Sequence, residues 1–91
     1  YHALCVMAGN FSCLLWQKLF DSLQAEFRIP PHTADMYLQQ QTDNLLKDYR
    51  TALTGPLARG DEKTIKRNIR ALEGDPFAAV YKAFVKAYST A

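Results

Sequence analysis

The sequence predicts an all-α domain, a small bundle of about four helices. Three observations predict it. Apolar residues recur at three- and four-residue steps over long segments, no segment alternates with period two between hairpin turns, and every proline falls at or between the ends of the periodic segments. A chain of 91 residues makes one domain, and 48% hydrophobic with 22% charged residues is ordinary globular composition. The formal net charge is +2, with Lys and Arg scattered along the chain among Asp and Glu. Nothing in that pattern resembles the clustered basic surface that phosphate backbones attract, so nucleic acid is not expected as a partner.

The first segment runs from about Ala3 to Phe27, with Leu4, Met7, Phe11, Leu14, Leu15, Phe20, Leu23 and Phe27 at mostly helical steps. Its first half is apolar almost all round, whereas Gln17, Lys18, Asp21, Gln24 and Glu26 give the second half a polar face. The first half is therefore expected to be buried on two sides, either centrally or against another chain. Ile29-Pro30-Pro31 ends the segment, because a residue before proline is pushed out of the α region and proline lacks the donor a helix interior needs. The run Ala3–Ala8 has no basic region before it and breaks at Gly9-Asn10, so it does not read as a signal peptide. It also falls short of the roughly 18 apolar residues that suggest a membrane span, and no membrane association is expected. The helical pattern is already running at Tyr1-His2 without a Met start, which gives the chain the look of a fragment. Cys5 and Cys13, eight apart on one helix, are separated by roughly 12 Å and cannot bridge each other. They are expected as small buried apolar side chains, and two unpaired thiols fit a reducing, cytoplasmic setting.

Thr33 is the expected N-cap of a second helix, with Asp35 in its first turn, running to about Leu53 through Leu38, Leu45, Leu46, Tyr49 and Leu53. The polar stretch Gln39–Asn44 interrupts it, as a solvated face, or as the lining of a wet cleft or a contact with a second domain. Thr54-Gly55-Pro56 breaks the chain, and Asp61 caps a short third helix with an inward stripe of Ile65, Ile69 and Leu72. Gly74 stops it. Asp75-Pro76 then caps and opens a fourth helix carrying Phe77, Val80, Tyr81, Phe84 and Tyr88.

The chain has no Gly-rich phosphate loop, nucleophile elbow, HExxH or paired CxxC, and no metal site is expected. Two groups of polar residues stand out. His2 and Asn10 lie eight apart on an otherwise apolar segment, about 80° from each other on a regular helix. They are either satisfied locally or face a polar pocket completed from elsewhere. The loop Leu53–Asp61 concentrates a hydroxyl, a guanidinium and backbone donors; it serves as helix stop and cap, or as a contact for a carboxylate or other anion.

These residues also carry a resemblance. Tyr1-His2-Ala3, Gly9-Asn10-Phe11, the run Thr54-Gly55-Pro56-Leu57-Ala58-Arg59-Gly60-Asp61, and Asp75-Pro76 with Tyr81 resemble the DUF2520 domain, which follows a Rossmann-like domain in NADP-dependent oxidoreductases. The similarity spans nearly all of the chain. It implies a helical fold like the C-terminal domain of 6-phosphogluconate dehydrogenase, shared in outline by ketopantoate reductase and pyrroline-5-carboxylate reductase. In that wider group the Rossmann domain holds NADP, while the helical domain supplies substrate contacts and often the dimer interface. Carried over by position, the resemblance implies His2 and Asn10 as catalytic candidates and Thr54, Gly55, Pro56, Arg59 and Asp61 as substrate-binding candidates. Relatives with a catalytic lysine four residues before the pocket asparagine would place it at position 6, where this chain has Val6.

Two functions are thus expected. In one, this domain lends polar groups to a small-molecule substrate cleft completed by its own Rossmann domain. His2 would give or take a proton, Asn10 would orient a carbonyl or hydroxyl, and Arg59 or the loop amides would hold an anionic group. In the other, it is a homodimerisation module with no catalytic part, packed through the apolar half of its first helix.

Overall fold

The computed structural model describes residues 1–90, which are helices and turns without a strand, and it divides into two compact units, Tyr1–Leu46 and Lys47–Ala91. The all-α expectation is met.

The first unit is built on one continuous helix, His2–Phe27, made of α1 (His2–Val6), a π-helical turn (Met7–Phe11) and α2 (Ser12–Phe27). The sequence signals no such turn. In it each amide bonds one residue further back than in an α-helix, and at its end Gly9 O accepts both the Ser12 amide and, at 3.0 Å, the Ser12 hydroxyl. The helix stops at Arg28, which takes the left-handed conformation (φ 54°, ψ 34°) that glycine usually supplies. The amides of Arg28 and Ile29 turn back onto the carbonyls of Gln24 (3.2 Å) and Leu23 (2.9 Å).

Thr33 does not cap the second helix. Pro31–Ala34 form a 3-10 turn, in which the Thr33 amide bonds Pro30 O, and α3 (Asp35–Lys47) continues from it. The helix also ends several residues before Leu53. Asp48 offers the chain a local alternative: its carboxylate accepts from the Arg50 amide at 3.1 Å and its carbonyl from the Thr51 amide at 3.3 Å. Trp16 ties α2 to α3 by meeting the Tyr37 ring edge-on, with centroids 5.4 Å apart.

The second unit contains α4 (Pro56–Arg59), α5 (Glu62–Ala71) and α6 (Phe77–Thr90). Both acidic caps are where the sequence puts them. Asp61 Oδ1 accepts from the Thr64 amide at 3.1 Å, and Asp75 Oδ1 from the Phe77 amide at 2.8 Å. Gly74, at φ 85°, makes the turn between α5 and α6, and Asn68 Nδ2 donates to Tyr81 Oη across the pair at 3.1 Å.

Neither unit closes over its apolar side chains. Among the described residues the two buried hydrophobic ones are both alanines, Ala34 and Ala52, while Leu4, Met7, Phe11, Leu14, Leu15, Met36 and Leu46 stand exposed, Met36 at 84% and Leu46 at 82%. The first half of the long helix is therefore open instead of enclosed, and Cys5 and Cys13, expected as buried side chains, are exposed free thiols on it.

Because Arg28 holds a positive φ at a strained position for a side chain, Arg28→Gly is expected to raise stability by about 0.5–1 kcal/mol in thermal or urea unfolding. No gain would mean that the Arg28 side chain makes up for its backbone.

Candidate functional site

The two groups of candidate residues fall one in each unit. His2 and Asn10 belong to the long helix of the first, and Thr54, Gly55, Pro56, Arg59 and Asp61 to the loop and short helix of the second.

The π turn changes the relation between His2 and Asn10. A wider turn rotates less per residue, about 80° instead of 100°, so the steps from Val6 to Asn10 take back most of the roughly 80° that a regular helix would put between the two. The two therefore point more nearly the same way than they would on a regular helix. Both are exposed, so neither needs an internal hydrogen-bond partner, and Val6, between them in sequence, is half-buried. Gly9, inside the turn, has open space where a Cβ would stand.

On another side of the same helix an open groove of about 440 Å³ lies between Ala8–Phe20 and Leu38–Leu45. Its lining is mostly apolar, with Trp16 between Phe20 and Tyr37, and Gln41 and Thr42 at its polar margin. The polar stretch of α3 thus has two roles. Gln39 and Gln40 donate along the surface to Asp43 and Asn44 at 2.9 Å each, while Gln41 and Thr42 border the groove.

In the second unit, Gly55 has φ 93° and ψ −169°, a region open essentially to glycine alone, and Pro56 starts α4 directly after it. Thr54 is exposed. Asp61 is engaged in structure: besides the Thr64 amide it accepts the Thr64 hydroxyl at 2.7 Å, and Arg59 Nη2 lies 3.7 Å from its Oδ2. Arg59 remains 61% exposed, a guanidinium at the surface beside one loosely held carboxylate. The Thr64 hydroxyl, then its amide, then the Arg59 charge hold Asp61 below the ordinary carboxylate value of 3.8. Among these five residues, Arg59 has the donors to contact an anion, Gly55 and Pro56 shape the backbone, and Asp61 fixes the start of α5. No group of His, Cys, Asp and Glu able to hold a metal occurs among the described residues.

A depressed carboxylate value in the folded chain means that the Asp61 contribution is fully present above pH 3.8 and is lost as pH falls through the lowered value. Asp61→Ala is expected to lower the melting temperature at neutral pH. Asp61→Asn, still a good cap, is expected to keep most of it and to flatten the acid-side decline; an unchanged acid profile in Asp61→Asn would place that decline elsewhere.

A family model described as a domain of unknown function (DUF2520) matches residues 1–88. No curated protein and no solved structure matches the chain.

Proposed function

This chain belongs to the DUF2520 family, and we propose that it is the helical, dimer-forming half of an NADP-dependent oxidoreductase, lending substrate contacts to a cleft completed by a Rossmann domain. The observation that carries the reading is the unburied apolar surface. Twelve large hydrophobic side chains of the first unit, from Tyr1 to Leu46, are exposed. At about 150–250 Å² for a whole large side chain, their exposed fractions amount to on the order of 1,000 Å², against about 800 Å² that each partner buries in a standard interface. A surface of that size is covered when the protein is at work.

The chain's own part in the chemistry is confined to substrate. Its four glycines stand singly, Gly9 in the π turn and Gly55, Gly60 and Gly74 at helix ends, so the described residues form no dinucleotide-binding loop and do not fit NADP. The cofactor belongs to the Rossmann partner. In this reading His2 exchanges a proton with the substrate, Asn10 orients its carbonyl or hydroxyl, and Arg59 with neighbouring amides of the 54–61 loop takes an anionic group. Exposed, unpaired thiols at Cys5 and Cys13 favour the reducing cytoplasm.

The second reading, a dimerisation module without catalysis, rests on the same apolar surface and needs none of the polar residues. The helix His2–Phe27 is also long and apolar enough to cross a membrane, which makes lipid the competing cover for it.

Sedimentation at micromolar concentration is expected to give a dimer that stays in the aqueous phase beside lipid vesicles; a monomer, or a chain that floats with the vesicles, contradicts the assembly reading. For a protein in which a Rossmann domain precedes this chain, NADPH oxidation is measured across keto acids and imines. His2→Ala and Asn10→Ala are each expected to lower kcat/KM at least tenfold with the dimer intact. Turnover indifferent to both leaves the module without a catalytic role.

A further inference from the structure

The cations that lie scattered along the sequence are gathered by the fold. Lys63, Lys66, Arg67 and Arg70 occupy α5 at three- and four-residue steps, which places all four within an arc of about 100° and along about 10 Å of axis. All are exposed, and none forms an ion pair among the described residues. Glu62 and Glu73 border the stripe without pairing with it. The opposite face, Ile65, Ile69 and Leu72, is half-buried.

Four like-charged neighbours result, Lys63 with Lys66 and with Arg67, and Arg70 with Lys66 and with Arg67, and each such pair weakens a helix. A merely solvated face gains from alternating signs; this one forgoes that gain. The charges of the two units also differ. The second unit holds nine Lys and Arg against five Asp and Glu, while the first holds Asp21, Glu26, Asp35 and Asp43 against Lys18 and Arg28. All four of those acids are exposed.

We propose that the basic stripe of α5 docks on the acidic first unit of a second copy, so that the two copies pair with unlike units opposed. The inference rests on the dimer reading above and adds its orientation. In a twofold pair every contact occurs twice, so a chain with one acidic and one basic half is complementary to itself only when the halves cross over. The apolar side chains supply the affinity, and the charges select the register and speed the encounter.

The orientation is read by carbodiimide crosslinking of an equimolar mixture of natural-abundance and nitrogen-15 chains, with mass spectrometry of the joined peptides. The expected products carry both isotopes and join Lys63 or Lys66 to Asp21, Glu26, Asp35 or Asp43. Products joining these residues within a single isotope only, or mixed-isotope products that omit Lys63 and Lys66, overturn the proposal. Sedimentation supplies a second readout. Raising salt from about 0.05 M to about 0.5 M is expected to weaken the wild-type dimer at least tenfold. Lys66→Gln/Arg70→Gln, checked for unchanged helicity, is expected to be weaker at low salt and less sensitive to salt. A wild-type dimer indifferent to salt removes the stripe and leaves the dimer standing; a wild-type monomer at every concentration removes both.

Discussion

A broad apolar helix face with nothing packed on it is costly to leave in water, and much of this molecule follows from that constraint. The first half of the long helix carries Leu4, Met7, Phe11, Leu14 and Leu15, all exposed, along one broad face that the neighbouring helix leaves open. The other segments are caps, turns and short amphipathic helices without an enclosed core, and among the described residues Ala34 and Ala52 are the buried hydrophobic ones. In the proposed reading, stability of this kind is completed from outside. The proposed dimer, the proposed Rossmann partner and the exposed cysteines are three consequences of one unfilled requirement.

What was legible in the sequence was local. Asp61 and Asp75 cap α5 and α6 as read, because a cap needs a side-chain oxygen two or three residues before an amide and nothing further away. The helical class followed from periodicity. The misreadings came where two local preferences competed. Tyr49 and Leu53 continue the apolar period of α3, yet Asp48 turns the backbone away first. Thr33 has the chemistry of a cap, but the prolines before it favour a 3-10 turn. At Arg28 a positive φ occurs without a glycine to announce it.

The candidate residues were legible as types more than as geometry. On a regular helix His2 and Asn10 diverge by about 80°, and the π turn draws them together. A π turn has no strong sequence signal; the Gly-Asn pair inside it and the Ser that bonds back to Gly9 are what could have suggested one. In the run 54–61 the cap at Asp61 is legible, but the helix stop is not where the sequence puts it, since α3 already ends at Lys47 and Pro56–Arg59 is itself a short helix. The basic stripe is not a run in the sequence, where Thr64, Ile65, Asn68 and Ile69 fall between its members, and it emerges only when α5 is wound.

The requirement for an external cover is most directly tested by urea unfolding followed over a hundredfold range of chain concentration. Folding coupled to assembly predicts that the midpoint rises steadily with concentration, since each unfolding event separates two chains. A cooperative transition whose midpoint does not move would show that one chain stabilises itself, and would contradict the reading of its apolar surface as an interface.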